Sequence, residues 1–541
     1  MVACSTWRRL RNAFRKLGIP GLLAFALLVF QVAIPWSVTW FATQDGPSHL
    51  YNAVVARELV LHHRHTPFAS VYQINRRIVP NWAGTFLLGG IEAIVGADHA
   101  EKVMVSLLLC TGFFAFAFAV RSFAPKASPW TPLANFLVQS WFLWIGFFNF
   151  YLSMLLALVA AGFYVRGECR LSPRRTCVLA AGLLGVFFTQ LIGAAIALLT
   201  IGCIAFWVHV VVPGVMRPRG PVRWQQLIPV AASMLPVLLL TSTFAFTSSE
   251  GGSGTGWLNA LLAFPLHVFA TAPGANGAQY YLWPAALSYM VASVFVLTRG
   301  EWRSPRGGLV LAMLGTFGLY LLVPDKGLGG DLVKLRFAWG VFLLGGLLVA
   351  SAHRMRRFQL PLALYVAVFL TANLVATAQS VADSSDMIGD YLAQAGTPPR
   401  GARLIRLRYQ TPDLGAKYGI GGLGRDPVFH LDGLIAARCR CIDLTDYEAP
   451  SEVFPVVFKT NVERGLQFAL WGMEGPGAET SAQLDWLRAR LPVPIDYALV
   501  VANASSPAVG RDQVIANLTG AGMRLVSLPG KDAFVAAYKK P

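Results

Sequence analysis

Long apolar runs separated by short arginine-rich segments, and a change of character after about residue 380, predict an all-α polytopic membrane bundle of about eleven spans followed by a small C-terminal α/β periplasmic domain. Three observations carry this expectation. The 541-residue chain is 55% hydrophobic and only 13% charged, with a mean hydropathy of +0.53, whereas soluble domains carry roughly 25% charged residues. Many of the apolar runs approach or exceed the ~20 residues needed to cross a bilayer core. The formal charge of +18 is gathered into clusters between those runs, which is the pattern of loops held on the inner side of a membrane, not of a nucleic-acid footprint. Membrane lipids are therefore expected as partners and nucleic acid is not.

Residues 1–18 form a basic tail with Arg8, Arg9, Arg11, Arg15 and Lys16. The apolar run 19–42 that follows is longer than the roughly 7–15 residues of a signal-peptide core. It reads as an uncleaved span with the N terminus in the cytoplasm. Further runs cover 103–120, 131–146, 149–165, 177–213, 226–247, 281–298, 308–323, 336–352 and 359–378. As one helix, 177–213 would be roughly 55 Å long, too long for a core of about 30 Å, so two spans breaking near Thr189-Gln190 are expected. The stretch 131–165 divides in the same way at Phe148-Asn149-Phe150. The clusters Arg121/Lys126, Arg166/Arg170/Arg174/Arg175, Arg217/Arg219/Arg223, Arg299/Arg303/Arg306 and Arg354/Arg356/Arg357 all fall inside if the glycine-rich block 82–96 does not span but lies in the outer interface or re-enters. Thirteen spans, with 82–96 and 258–272 crossing, would place the four arginines of 166–175 outside.

The transmembrane part is thus expected over 19–379 and the periplasmic domain over 380–541. Three outer loops result. Residues 43–102 hold an amphipathic piece from Pro47 to Leu61, the run His62-His63-Arg64-His65, and Arg76-Arg77. A glycine-rich loop over 248–280 encloses a surface-lying apolar run, 258–272. The last loop runs from Pro324 through Asp325, Lys326, Asp331 and Lys334 to Arg336. Beyond 380, Arg403–Arg408, Tyr497–Val501, Met523–Leu528 and Ala533–Tyr538 have the pattern of strands, and Ser481–Leu491 and Asp512–Thr519 that of helices. Cys439-Arg440-Cys441 has no second pair at zinc-finger spacing and reads as two unrelated thiols.

The candidate chemistry sits directly after the first span, in Gln44-Asp45-Gly46-Pro47-Ser48-His49-Leu50-Tyr51. Proline is well tolerated in a first helical turn, so Asp45 would precede a helix whose dipole suits its charge. Two readings stay open: a catalytic acid or base with an imidazole beside it, or a helix cap next to an interfacial histidine.

Three motifs, Asp45-Gly46-Pro47-Ser48-His49-Leu50-Tyr51, Gly146-Phe147-Phe148-Asn149-Phe150 and Val323-Pro324-Asp325 with Gly330 and Arg336-Phe337, resemble those of a poorly characterised bacterial branch of the GT-C glycosyltransferases. The resemblance covers about residues 15–380. It implies a multispan membrane enzyme of the bacterial inner membrane that moves a sugar from a polyprenyl-phosphate carrier to a lipid, glycan or protein acceptor on the outer face. By motif, Asp45 would be the base and His49 its companion. Tyr51, Arg76, Arg77, Asn149, Asp325, Lys326 and Arg336 would contact substrate, with the cations neutralising the leaving phosphate. Many GT-C members carry a second acid where this chain has Asn149. That departure weighs against a metal-dependent mechanism and against activity itself, although a divalent metal could still bind through Asp45 and His49 together with His62, His63 or His65. It also keeps in play a non-catalytic assembly or export partner for surface polysaccharide. A transporter or flippase is disfavoured because the spans contain few charged residues.

Overall fold

In the computed structural model the described residues are 2–125, 132–216, 221–247, 256–271, 291–292, 302–326, 332–353, 355, 358–408, 427–451, 453–459, 494–501, 516, 518–520, 522–527 and 535–541. They divide into two compact units. The first comprises Met1–Ile34, Val105–Leu143 and Phe148–Ala378; the second comprises Pro35–Met104, Trp144–Phe147 and Gln379–Pro541. The apolar runs fold as helices and the C-terminal segment contributes a small mixed sheet, the architecture expected from hydropathy alone.

Among the described residues, eight helices are long and apolar enough to cross a membrane: Gly18–Trp36, Ala97–Phe123, Phe148–Arg166, Leu191–Met216, Trp224–Phe244, Pro305–Leu322, Val333–Ser351 and Gln359–Ala395. This is a multi-pass membrane protein. The helix Pro173–Thr189, at 17 residues, accounts for a further expected span. The predicted break at Thr189-Gln190 is present, and its cause is local. Gln190 has an extended backbone (φ −170°), and its Oε1 accepts hydrogen bonds from the N–H groups of Ile192 (2.6 Å) and Gly193 (3.2 Å). The buried side chain thus caps a new helix within an apolar run.

The run 131–146 differs from expectation. It forms two short helices, Pro132–Val138 and Trp141–Trp144, instead of one span. The polar pair Gln139-Ser140 breaks it: Ser140 Oγ accepts from Phe142 N (3.3 Å), while the Val138 carbonyl accepts from Ser140 N (2.9 Å) and from Tyr151 Oη (2.5 Å). The expected span 281–298 lies outside the described residues apart from a helical 291–292. Block 82–96 is the 14-residue helix Trp82–Val95, too short to cross. The apolar run 258–272 is the helix Trp257–Thr271. Small residues set the helix packing of the first unit. A Cβ on Gly308 would meet Ile204 Cα at 2.5 Å, so the two backbones touch, as is common between membrane helices.

In the second unit, five strands lie in the order β3-β2-β5-β7-β6, with β2 Arg403–Arg408, β3 Ile442–Asp443, β5 Tyr497–Val501, β6 Arg524–Ser527 and β7 Val535–Lys539. β2 pairs in parallel with β3 and β5, whereas β7 is antiparallel to β5 and β6. The four predicted strands are all present. The predicted helix Ser481–Leu491 lies outside the described residues, and of Asp512–Thr519 only 516, 518 and 519 are described, as helix. A separate two-stranded pairing, Tyr72↔Phe458 to Ile74↔Val456, joins β1 (Tyr72–Ile74) of the first loop to β4 (Val456–Phe458) of the C-terminal segment. The 43–102 loop is therefore built into the same unit as the C-terminal sheet.

Candidate functional site

The helix Gly46–His62 begins as predicted, with Pro47 in its first turn. It is not amphipathic as expected, because every residue from Gly46 to Ala56 is buried. The reason is what covers it. The helix Leu431–Cys439 packs so closely that a Cβ on Gly433 would lie 2.7 Å from the Pro47 carbonyl oxygen, and the β1–β4 ribbon closes another side.

Asp45 occupies the residue before this helix, yet its side chain makes no capping hydrogen bond. Thr43 Oγ1 takes that place, accepting from Gly46 N at 3.1 Å. The Asp45 backbone N–H is tied to the Ile145 carbonyl (2.9 Å), and its carbonyl accepts from His49 N (3.0 Å). Glu101, 3% exposed, accepts from Thr43 N at 2.5 Å. The turn has no room for a side chain at Gly46: a Cβ there would lie 2.0 Å from Glu101 Oε1 and 2.4 Å from Thr43 Oγ1. Gly146, at φ +93°, would place a Cβ 2.6 Å from Gly46 N. Two of the motifs separated by a hundred positions thus meet backbone to backbone at Asp45.

The carboxylate and imidazole face groups that sequence reasoning did not single out. His49 Nδ1 lies 2.6 Å from Glu448 Oε1, and His430 Nε2 lies 3.9 Å from Asp45 Oδ1. His430 is stacked on Tyr447 (centroids 4.4 Å apart, planes at 24°) with Phe429 edge-on at 4.4 Å. Behind Glu448, Asp446 Oδ1 accepts from Asn52 Nδ2 (2.9 Å) and Glu448 N (3.1 Å), and Asp443 Oδ1 accepts from Thr445 N (2.8 Å) and Oγ1 (2.5 Å). Asp432 pairs with Arg406 at 2.9 Å and accepts from Thr445 Oγ1 at 3.0 Å. The only advance signal was the block Asp443-Leu444-Thr445-Asp446-Tyr447-Glu448, three acids in six residues of a chain with only 13% charge.

This burial of like charges governs protonation. Desolvation, aided by Glu448, pushes the Asp446 carboxyl up to about 8. Desolvation and the neighbouring Asp432 raise Asp443 well above the usual carboxylate range. For His49, burial works against the imidazolium, but Glu448, Asp45 and Glu101 together outweigh it, so the ring holds its proton above the ordinary imidazole range.

The remaining predicted residues are dispersed. Tyr51, expected to contact substrate, is fully buried. Its hydroxyl accepts from Asp443 N (2.8 Å) and donates to Tyr72 Oη (3.3 Å), and Tyr72 in turn donates to the Asp443 carbonyl. Arg76 and Arg77 are exposed in the second unit. In the first unit, Asn149 is 7% exposed near the start of the helix Phe148–Arg166, and Arg336 sits 5.4 Å over the Phe150 ring. Asp325 Oδ1 accepts from Lys334 N (3.1 Å), Lys334 Nζ donates to the carbonyls of Tyr320 (3.2 Å) and Leu321 (3.4 Å), and Lys326 is exposed. Lys334 is thus engaged in closing a helix end, and Asp331 lies outside the described residues. His62, His63 and His65 are exposed, and among the described residues no three His, Cys, Asp or Glu side chains are grouped so as to hold a metal ion.

No protein-family model matches the chain, and no curated protein sequence does. Among solved structures, the chain is similar to ArnT from Cupriavidus metallidurans in the apo state, with 14% identity over 99% of this chain and 98% of that one and a TM-score of 0.47. It is also similar to the Archaeoglobus fulgidus oligosaccharyltransferase in complex with zinc and sulfate, with 10% identity over 88% of this chain and 68% of that one and a TM-score of 0.42. Both likenesses are loose.

Proposed function

We propose that this protein is a GT-C-type glycosyltransferase of the bacterial inner membrane. It would move a sugar from a polyprenyl-phosphate carrier to a lipid, glycan or protein acceptor on the periplasmic face, with the N terminus cytoplasmic. The observation that carries this reading is the state of Asp45. A carboxylate placed where a helix cap belongs, relieved of capping by Thr43 and facing His430, does not fill the helix-cap role open to it from sequence. His49, in turn, is buried instead of interfacial. In the reaction, the acceptor oxygen bonds to the anomeric carbon as its proton passes to Asp45, and the bond to the carrier phosphate breaks with its electron pair left on the phosphate. Arg76 and Arg77, exposed in the same unit, are cations suited to that developing charge. Among the described residues no grouping fits a metal, and no step is assigned to one.

A second reading, an assembly or export partner that kept the fold without the chemistry, is favoured by Asn149 standing where a second acid is expected and by the burial of Asp45 to 7% exposure. Mass spectrometry of surface glycans from a deletion strain separates the two. Wild type is expected to restore a glycan that Asp45→Asn, at matched membrane abundance, does not. Full rescue by Asp45→Asn would remove Asp45 as the base and favour the partner.

A further inference from the structure

We propose that Glu448 and His430, contributed by the C-terminal segment, are positioning residues for the Asp45–His49 pair, so that this segment completes the site and does not merely select an acceptor. The proposal rests on the transferase reading above and assigns roles within it. Exposure separates the roles. The side chains of Asp45 and His49 each keep 10% of their surface, whereas Glu448 is fully buried and cannot touch a substrate. Glu448 therefore acts only through what it faces, and that is His49 Nδ1 at 2.6 Å. At that distance the contact combines opposite charge with a hydrogen bond from the ring nitrogen to the carboxylate. With Nδ1 taken, the ring has Nε2 left for substrate or for Asp45. His430 is held rigid by Tyr447 and Phe429 and opposes Asp45 from the same segment.

The groups facing His49 are Glu448, Asp45 and Glu101, with the Phe454 ring at 5.9 Å. Burial is the largest single influence on the ring and Glu448 the largest one opposing it. Removing the Glu448 charge takes away the largest influence that opposes burial, so the His49 proton should be held less tightly than in wild type.

The test uses the full-length protein in two arms. In the first, the ring carbons of histidine are labelled and the His49 resonance, assigned by His49→Gln, is titrated by NMR in wild type and in Glu448→Gln. The midpoint is expected to fall by at least about one pH unit, a tenfold change in proton affinity; an unchanged midpoint overturns the positioning role of Glu448. In the second, the glycan lost on deletion is quantified per unit of membrane protein at external pH 5.5 and 7.5. Glu448→Gln should approach wild type at pH 5.5 and fall about tenfold at pH 7.5, with Glu448→Asp recovering part of the loss. His430→Phe, which keeps the ring stack but not the polar nitrogen facing Asp45, should lower the product at both pH values without lowering abundance. A uniform loss in Glu448→Gln that tracks lower abundance would mean a structural role only and overturn the proposal. Activity retained by Asp45→Asn, or no glycan lost on deletion, would instead refute the transferase reading, while the first arm still decides whether Glu448 holds His49.

Discussion

The carboxyl of Asp446 offers a direct measure of what the buried acidic cluster costs. Its ordinary value of 3.8 is pushed up to about 8 in the fold. Between those limits the folded chain holds a proton that the unfolded chain releases, so stability is highest at or below about pH 4 and is lost as pH rises through about 8. His49, whose affinity for its proton is also raised, adds a loss of the same sign as pH climbs past the ordinary imidazole range. One extra proton bound in the native state makes the slope about 1.4 kcal/mol per pH unit, so Asp446 alone should weaken this region by roughly 3 kcal/mol between pH 5 and pH 7. The variant Asp446→Asn removes the titrating group. Its amide oxygen can still accept from Asn52 and from Glu448 N, as Asp446 Oδ1 does. Hydrogen-exchange mass spectrometry on the detergent-solubilised full chain, corrected for the intrinsic pH dependence of exchange, reads local opening in peptides from Gly46–His62 and from 442–459. Wild-type protection in these peptides should drop by about tenfold per pH unit or less from pH 5 to 7. In Asp446→Asn the drop should be shallower and protection at pH 8 higher than in wild type. Protection that is flat or rises with pH in wild type, or an equal slope in both proteins, would refute the idea that burial of this carboxyl is what the fold works against.

Three further outcomes follow from single contacts. Gly46→Ala must displace Glu101 and Thr43 from the turn, so a destabilisation of about 1–3 kcal/mol should appear as reduced membrane abundance and faster exchange at the start of the Gly46–His62 helix. Tyr51→Phe leaves the Asp443 N–H without its acceptor in a dry environment, which should cost about 1–3 kcal/mol and raise exchange at residues 442–443 without changing the glycan made per molecule. Gln190→Ala removes the cap on Ile192 and Gly193, and a loss of roughly 1 kcal/mol should show as a lower thermal midpoint.

The positions of the breaks in the membrane segment were legible where the breaking group is local. Gln190 caps the residues that follow it, and residues 82–96 are too few to span, so both could be read from neighbours in the chain. The break at Gln139-Ser140 was not, because the Val138 carbonyl before it also accepts from Tyr151, a residue a dozen positions away whose direction depends on packing. The Gly46–His62 helix shows the same limit. Its first residues were foreseeable from Pro47, but its burial is decided by Gly433 and by β4 pairing with β1, and both Gly433 and β4 lie nearly four hundred residues downstream.

By itself, then, the sequence determined the class of the molecule: the bilayer fixes how long an apolar helix must be, and clustered arginines separate the runs. It also singled out Asp45 and His49, because a carboxylate and an imidazole placed at a span end are chemically conspicuous. Only the tertiary structure decided what those two groups face. Glu448 and His430 reach them from the far end of the chain, and a side chain's partner at 2.6 Å is set by backbone packing that leaves no periodic trace in the residues themselves. The same packing removes the water that would otherwise screen these charges; that desolvation raises Asp446, and the acids packed around His49 outweigh it there, so both hold a proton more tightly than usual.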